Sequence, residues 1–463
     1  MLGPRRRTGY VALAEAVRGL IRDGRLGLRV QLPAERALAA ELAASRTTVT
    51  AAYRLLREQG YLDSRRGSGS HTRLPEGERL STSGLWAPDD DADIDLGCAA
   101  PPAPPQLAAA AERAVRQLPE YAAGHGYHPV GIAALRTLVA ETYTRRGVPT
   151  TPAEILVTAG AQQAFDLVLR LLVAPGERVL VESPSYPNAL TAIGTARARA
   201  DTIQLGDDGW DLDPVLPALS GGRYRLAYLI PDFHNPTSLM MPLAERLALL
   251  RAARAGGTTL VADETFVDLA HDDSPLPPAM AALDRNRRVI TIGSMSKAYW
   301  GGLRVGWIRA SPALIQRLAV VRGATDMGGA VLDQLIALDL LAQADTILPA
   351  RRAALVRSRD VLAAALRQHL PEWSFTLPNG GMSLWVELDA PISTVLARAA
   401  EAVGVRVAPG PRFGAEGTLE RFVRLPFTLS PDTLAEAARR LAAARADLDA
   451  APSRRLTTPS IVA

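Results

Sequence analysis

The chain has 463 residues and a formal net charge of +4, and 48% of its residues are hydrophobic. This length exceeds one ordinary domain and the hydrophobic share supports a large core, which excludes disordered, collagen-like and disulfide-stapled proteins. The one cysteine, Cys98, has no internal disulfide partner, so we expect a reducing, cytoplasmic compartment. No stretch is apolar enough to span a membrane, and Glu15, Arg18 and Arg22 interrupt any secretory signal.

Positive charge is concentrated at the N-terminus. Residues 1–74 hold 14 arginines and 6 acidic residues, a net charge of +8, so the remaining chain carries −4. A small basic segment on a mildly acidic body is typical of a domain that binds a polyanion such as DNA. A solvated arginine-rich face has the same composition, so charge alone does not decide between them.

Residues 1–74 predict three helices followed by a hairpin. Apolar residues at helical spacing predict helices over 10–23, from Pro33 to Glu41, and from Ser45 as N-cap to Gln59. Two strand-forming stretches then flank a basic, glycine-rich tip at 65–69. This order predicts a winged helix-turn-helix domain, whose third helix enters the major groove of DNA.

Several residues of this domain are candidate DNA contacts because they lie off the apolar stripe of the third helix or in the wing. Arg46 is placed to contact a guanine edge and Thr47 a phosphate, with Thr50 on the same side. The wing pair Arg66 and Gly67 is placed to contact the backbone or the minor groove. The alternative is a protein-binding wing with solvated arginines, which the charge and the helix pattern make less favoured.

The motifs LPAER at 32–36, SRTTV at 45–49 and GYL at 60–62 make the assignment more specific. Together they resemble the GntR family of bacterial repressors and activators over residues 8–74. The resemblance implies that Arg36, Arg46 and the pair Arg66 and Gly67 contact DNA. Thr50 stands where the family often has another arginine, which leaves the base preference open.

Two segments of the chain lack apolar periodicity. Residues 75–94 are rich in proline, glycine, serine and aspartate, which predicts a flexible linker between domains of 1–74 and 95–449. Residues 450–463 predict a disordered tail.

Residues 95–449 alternate short apolar strands with alanine-, leucine- and arginine-rich helices. This pattern predicts an α/β domain with a mainly parallel sheet covered on both faces. The clearest predicted strands are 154–158, 178–182, 225–230, 258–263, 288–293 and 305–309. Ligands of such sheets bind beyond the carboxyl ends of the strands. The polar and glycine residues expected there are Gly160, Ala161, Gln162, Tyr186, Asn235, Asp263, Ser294 and Lys297.

Lys297 is the only lysine among 52 basic side chains. Arginine is effectively never deprotonated, whereas a partly desolvated lysine can lose its proton and act as a nucleophile. A surface lysine retained by chance is the other interpretation, and this count alone favours neither.

Pyridoxal 5′-phosphate (PLP) explains the whole set, and no metal site is predicted. In this interpretation Lys297 attaches to the aldehyde, Asp263 keeps the ring nitrogen protonated, and Tyr186 stacks on the ring. The remaining members bind the ring oxygen (Asn235) or the phosphate (Gly160, Ala161, Gln162, Ser294 and Arg304). Each residue alone has an ordinary structural explanation, but the ordered set with the sole lysine indicates a PLP site.

The motifs TAGAQQ at 158–163, SPSYP at 183–187, NPT at 235–237, ADE at 262–264, SMSK at 294–297 and GLRVGW at 302–307 resemble the class I aminotransferases of fold type I. This likeness covers residues 95–448 and implies a homodimer. It also implies that Arg424 binds a substrate or effector carboxylate. Both domains in this order resemble the MocR/PdxR subfamily of GntR regulators, whose aminotransferase-like domain senses a ligand and controls the DNA-binding domain.

Two departures from the aminotransferase pattern affect the expected chemistry. Phe266 stands where the enzymes usually have a tyrosine that bonds the ring oxygen, and Ser238 stands where glycine usually follows NPT. A missing hydroxyl beside the ring oxygen slows proton transfers without abolishing cofactor binding, which favours a sensor over an efficient catalyst.

Three functions are therefore compatible with the sequence. The leading one is a PLP-dependent DNA-binding regulator that senses PLP or an amino or carboxylate effector. The second is an active aminotransferase with an appended DNA-binding domain. The third is a dimerisation scaffold that binds no PLP, which the retained Lys297 argues against.

Overall fold

The computed structural model describes residues 9–22, 26, 28, 30–65, 69–75, 93–206, 209–414 and 417–450. The predicted wing contacts Arg66 and Gly67, nearly all of the predicted linker and residues 451–463 of the predicted tail lie outside the described residues. The domain boundaries drawn from the sequence therefore stay predictions.

Three helices and a hairpin form the first domain, which confirms the winged helix-turn-helix. The elements are α1 (Gly9–Arg22), α2 (Glu35–Glu41), α3 (Arg46–Glu58), β1 (Leu62–Arg65) and β2 (Gly69–Thr72). Ser45 caps α3 as predicted, because its Oγ accepts the Thr48 N–H at 3.1 Å. The second helix begins at Glu35 rather than at Pro33, since Ala34 still has an extended backbone conformation.

The second domain contains the remaining twelve strands and twelve helices that the structure describes. Its strands are β3 (Ile94–Leu96), β4 (Ile155–Thr158), β5 (Arg178–Ser183), β6 (Arg199–Gly206), β7 (Gly209–Asp211), β8 (Leu226–Leu229), β9 (Thr259–Asp263), β10 (Ile290–Ser294), β11 (Gly306–Arg309), β12 (Ser383–Glu387), β13 (Val405–Pro409) and β14 (Phe422–Pro426). Its helices are α4 (Leu107–Ala122), α5 (Ala133–Arg145), α6 (Ala161–Leu172), α7 (Pro187–Thr195), α8 (Leu216–Ser220), α9 (Leu243–Gly256), α10 (Met280–Leu283), α11 (Pro312–Arg322), α12 (Val331–Ala342), α13 (Ala344–His369), α14 (Ser393–Ala402) and α15 (Pro431–Ala450).

Eight of these strands form the central sheet, in the order β4-β11-β10-β9-β8-β5-β6-β7. The five strands from β10 to β6 are mutually parallel, whereas β11 runs antiparallel to both of its neighbours and β7 pairs antiparallel with β6. The six predicted strands are confirmed within two residues at each end. The mainly parallel sheet is therefore as expected from the alternation of strands and helices.

Both faces of the central sheet are buried. Along β5, Val179 and Val181 pack into one hydrophobic cluster, while Leu180 between them packs into another on the opposite face. Successive residues of a strand point to opposite faces of the sheet. A run of consecutive apolar residues is therefore typical of a strand in a sheet that is covered on both faces. Within the described residues, no helix is long and apolar enough to cross a membrane.

A second, four-stranded sheet has the order β12-β14-β13-β3. Its edge strand β3 pairs in parallel with β13, and Ile94 lies opposite Val405. The short strand that follows the linker therefore belongs to the same sheet as β14, which carries Arg424.

Candidate functional site

The predicted polar residues meet at one edge of the central sheet. Asp263 ends β9, Ser294 ends β10, and Lys297 follows three residues later. Because β11 runs antiparallel to β10, Arg304 just before β11 lies at the same edge. β11 is also antiparallel to β4, so β4 and β10 run in the same direction. Gly160, which follows β4, therefore lies at this edge as well. Packing of the sheet thus brings together residues that are far apart in the sequence.

The start of α6 and Arg304 form a cradle for an anion. Gly160 is the N-cap of α6 with φ +87°, and a Cβ placed on it would lie 3.0 Å from Arg304 Nη2. The same guanidinium donates to Ala159 O at 2.7 Å, so it lies directly over the start of the helix. Free N–H groups at a helix N-terminus beside an arginine suit a phosphate. The glycine leaves the space that this approach requires.

Three neighbouring side chains extend this cradle. Gln162 Nε2 donates to Asn188 O at 3.1 Å, while its buried Oε1 has no hydrogen-bond partner in the described chain. Ser294 Oγ lies 3.0 Å from Ser296 Oγ and accepts the Ser296 N–H. The buried amide oxygen is an acceptor without a donor in the described chain, so it leaves room for a hydrogen-bond donor.

Asp263 is buried and held by three donors. Its Oδ1 accepts the Thr265 N–H at 3.0 Å and the Thr265 hydroxyl at 2.5 Å, and its Oδ2 accepts the Tyr228 hydroxyl at 2.6 Å. Burial raises the pKa of Asp263 above its usual value, and the three hydrogen bonds act against this shift. The carboxylate is thereby fixed in one orientation.

Thr265 and Tyr228 were not anticipated as site residues. Thr265 follows Asp263 at the spacing of an aspartate turn, which is a signal that could have identified it. Tyr228 is one of four consecutive buried residues in β8, and nothing in its sequence context separates it from ordinary core.

Tyr186 lies among the charged residues of the site. Its hydroxyl accepts from Asn188 Nδ2 at 2.9 Å. Burial raises its pKa, Asp263 raises it further, and Arg304 and Arg424 act in the opposite direction. Tyr186 therefore lies within electrostatic reach of Asp263 at the end of β9, Arg304 before β11 and Arg424 within β14.

Lys297 is half-buried, and its amine donates to Ala99 O at 2.7 Å. Burial lowers the pKa of Lys297 to about 8, because a desolvated ammonium is less stable than in water. The sole lysine therefore has the lowered pKa that a nucleophilic amine requires at neutral pH.

Arg424 is almost entirely buried, with 7% of its surface exposed. Its Nη2 donates to Gly97 O at 2.5 Å and its Nη1 lies 3.5 Å from Asn235 Oδ1. The guanidinium carbon lies 5.0 Å from the centre of the Phe413 ring. Burial, followed by the charge of Arg412, lowers the pKa of Arg424 to about 10. A buried guanidinium with no carboxylate of the described chain at hydrogen-bond distance is suited to a ligand carboxylate.

The two departures from the aminotransferase pattern have distinct structural outcomes. Phe266 is buried within the main hydrophobic cluster. Ser238 has φ +58°, which explains why glycine is usual there, and its hydroxyl donates to Ser383 O at 2.9 Å. The serine thus gains a hydrogen bond in place of the conformational freedom of glycine.

The predicted DNA contacts of the first domain are exposed where the structure describes them. Arg46 and Thr47 begin α3, and Arg36 lies in the first turn of α2. Thr50 is also exposed, and its hydroxyl donates to Glu35 Oε2 at 2.6 Å, which ties α3 to α2.

Comparison with known proteins supports both domains. Residues 94–441 match the family described as aminotransferase class I and II, and residues 9–71 match the bacterial regulatory proteins of the gntR family. The chain is 33% identical to LysN, an alpha-aminoadipate aminotransferase from Thermus thermophilus. That structure, complexed with N-(5′-phosphopyridoxyl)-L-leucine, has a TM-score of 0.72, and the match covers 81% of this chain and 97% of LysN.

Two relatives share both domains. The chain is 28% identical to the HTH-type transcriptional regulator TauR of Rhodobacter capsulatus, over 94% of this chain and 97% of TauR. It is 30% identical to the probable rhizopine catabolism regulatory protein MocR of Rhizobium meliloti, over 86% of this chain and 85% of MocR. The aminotransferase class I and II family depends on PLP. The chain therefore belongs to the MocR/PdxR subfamily of PLP-dependent transcriptional regulators, in which a gntR-type DNA-binding domain is fused to an aminotransferase class I domain.

Proposed function

We propose that this regulator binds PLP through Lys297 and senses an amino acid or another carboxylate at Arg424. The observation that carries the proposal is the position of the two residues. The only lysine, with its lowered pKa, and a buried arginine both contact the short segment 97–99, through Ala99 O and Gly97 O. An amino acid fits such a pair, because its carboxylate would bind Arg424 while its amine would react with the aldehyde of PLP held at Lys297.

The remaining residues suit the rest of the cofactor. The first turn of α6, at Gly160, Ala161 and Gln162, would hold the phosphate with Ser294 and Arg304. Tyr186 would stack on the ring and Asn235 would donate to the ring oxygen. PLP supplies an electron sink when it is bound.

Asp263 would hold a proton at the ring nitrogen, because it presents a fixed, buried carboxylate. Phe266 offers no hydroxyl near the ring oxygen, so this side of the site supplies one proton donor fewer than the usual enzymes have. This combination of retained binding groups and a lost donor favours sensing over rapid turnover.

DNA would be bound in the cytoplasm by α3 and the wing, with Arg36, Arg46, Thr47, Thr50, Arg66 and Gly67 as contacts.

We expect a homodimer that reads two half-sites. Tyr127 and Met327 are 56% and 49% exposed. The loops that carry them are in contact, because a Cβ added to Gly328, next to Met327, would lie 2.9 Å from the carbonyl oxygen of His128, next to Tyr127. Exposed apolar side chains on adjoining loops fit a surface covered by a second copy.

The first test is the visible absorbance of the purified protein with added PLP, before and after borohydride. A borohydride-reducible band that disappears in Lys297→Ala and in the charge-conserving Lys297→Arg supports attachment at Lys297. Each sample is then used in a DNA-shift assay on the chain's own upstream region. A Lys297-dependent band together with a PLP-dependent change in DNA affinity supports the proposal, and absence of the band contradicts it.

An active aminotransferase is the second candidate, because every group expected for transamination is present except the hydroxyl that Phe266 lacks, and LysN is similar over most of the large domain. Turnover of an amino donor with a 2-oxo acid at ordinary enzymatic rates, above about 1 per second, would favour it. Single-turnover conversion with no sustained rate would favour the sensor.

A further inference from the structure

Two backbone carbonyls contact the two cationic groups of the site. Arg424 Nη2 donates to Gly97 O at 2.5 Å, and Lys297 Nζ donates to Ala99 O at 2.7 Å. These are the groups to which the proposed function assigns the ligand carboxylate and the cofactor. In the described chain these two donors are thus already bonded to the backbone of Gly97 and Ala99.

This segment is held on its N-terminal side by β3. Leu96 is fully buried and lies opposite Val407 of β13, and the Gly97 N–H donates to Asp95 Oδ1 at 2.7 Å. β3 has only three residues and lies at the edge of its sheet. A strand this short has few backbone hydrogen bonds to lose, so its place in the sheet depends mainly on the packing of Ile94 and Leu96, which a shift of β3 would change.

The chain order connects this contact to the DNA-binding domain. Residues 76–92 precede β3 and follow the first domain, so any movement of β3 moves the end of the covalent connection between the two domains. Asp93, where the described chain resumes, pairs with Arg440 at 2.9 Å. The residues between Asp93 and Ala99 thus run from the end of the linker into the ligand site.

We propose that segment 97–99 is an internal competitor for the effector site, and that an α-amino carboxylate displaces Gly97 O from Arg424 and shifts β3 with the attached linker. The inference rests on the proposed function of Arg424 and Lys297. A carboxylate accepts two parallel hydrogen bonds from a guanidinium and carries the opposite charge, whereas Gly97 O is a neutral acceptor of one bond from Arg424 Nη2. The ligand therefore favours the arrangement in which the segment has moved, as a population shift requires.

Cys98 lies at the centre of the segment and reports on its position. It is half-buried and is the only cysteine of the chain, so its rate of alkylation by iodoacetamide measures this one site. The probe is N-(5′-phosphopyridoxyl)-L-leucine, which carries both the pyridine ring and the α-carboxylate. Pyridoxamine 5′-phosphate is the control, because it keeps the ring and the phosphate but lacks the leucine moiety with its carboxylate. Binding of both compounds is followed by the fluorescence of their rings, in full-length protein at fixed pH.

We expect the leucine adduct to raise the alkylation rate of Cys98 at least about fivefold, and to change the affinity for the upstream DNA at least about threefold. Each is a population shift on the order of 1 kcal/mol. Pyridoxamine 5′-phosphate is expected to produce neither effect. If both compounds bind but Cys98 reacts at an equal or slower rate, the inference is wrong while the proposed function stands. If neither compound binds, the proposed function itself fails.

A variant tests the segment independently of the ligand. Asp95→Ala removes the acceptor of the Gly97 N–H, so Cys98 should react faster without ligand and respond less to the leucine adduct. Asp95 also pairs with Arg406 at 3.9 Å. Asp166→Ala is therefore the control, because it removes an aspartate that pairs with an arginine, here Arg170 on α6. Equal behaviour of the two variants, with ring binding intact, would contradict the role of the segment.

Discussion

The Tyr228 hydroxyl donates to Asp263 Oδ2 at 2.6 Å, from within β8 to the last residue of the adjacent parallel strand β9, and both residues are buried. Burial raises the pKa of Tyr228, and the negative charge of Asp263 raises it further. Burial also raises the pKa of Asp263, and the hydrogen bond from Tyr228 acts against that shift. Tyr228 therefore acts as a positioning residue that orients this buried carboxyl group and favours its ionised form.

Removing this hydroxyl should destabilise the protein and weaken PLP binding. Tyr228→Phe leaves a buried carboxylate oxygen without a donor, and hydrogen bonds to charged groups contribute about 1.5–3 kcal/mol. The loss should be largest at neutral pH and shrink in acid, because the pKa of Asp263 rises in the variant and a protonated carboxyl needs no donor. Urea unfolding at several pH values measures it. Tyr224→Phe is the control, and an equal loss in both variants would show that the Asp263 contact is unimportant.

The pKa of Lys297, lowered by burial to about 8, predicts how cofactor attachment depends on pH. Only the neutral amine is nucleophilic, so about a tenth is reactive at pH 7 and nearly all by pH 9. The rate of PLP attachment, trapped with borohydride and measured by mass, should rise with a midpoint near pH 8. Lys297→Ala measures the contribution of the terminal amine. A rate still rising steeply at pH 10 would mean that the amine is not desolvated.

The sequence could predict the sheet edge and its residues because each one follows a short apolar strand. Asp263, Asn235 and Lys297 were identified from such positions, and the parallel order of the strands brings them to one edge. Tyr228, Gly97 and Ala99 could not be identified. Tyr228 lies within an apolar strand, and the other two act through backbone carbonyls, which any residue provides.

Ser238 provides a test of strain against hydrogen bonding. Its φ of +58° costs about 1 kcal/mol relative to glycine, and its hydroxyl gives Ser383 O a donor, which contributes a similar amount. Ser238→Ala keeps the strain and loses the bond, whereas Ser238→Gly loses both. Urea unfolding should therefore find the glycine variant within about 1 kcal/mol of the wild type and the alanine variant about 1 kcal/mol less stable than the glycine variant. The reverse order would mean that the backbone at Ser238 is unstrained.

Arg46, the first residue of α3, should contribute sequence-specific affinity for DNA because it is exposed where the recognition helix begins. Arg46→Ala should weaken binding to the upstream operator by about 10- to 100-fold, the range of one bidentate base contact. Arg46→Lys separates charge from geometry. It should keep most of the affinity for random DNA, which depends on charge, but lose the preference for the operator, which depends on the planar fork.

Titrations of operator and random duplexes at two salt concentrations measure both effects. Arg170→Ala, which removes one arginine from a surface ion pair of the large domain, is the control and should leave both affinities unchanged. If Arg46→Lys loses affinity for both duplexes equally, or loses none for either, Arg46 contacts a phosphate or nothing. Base recognition would then depend on the other predicted contacts. Among these, Thr50 already uses its hydroxyl hydrogen in a bond to Glu35 Oε2.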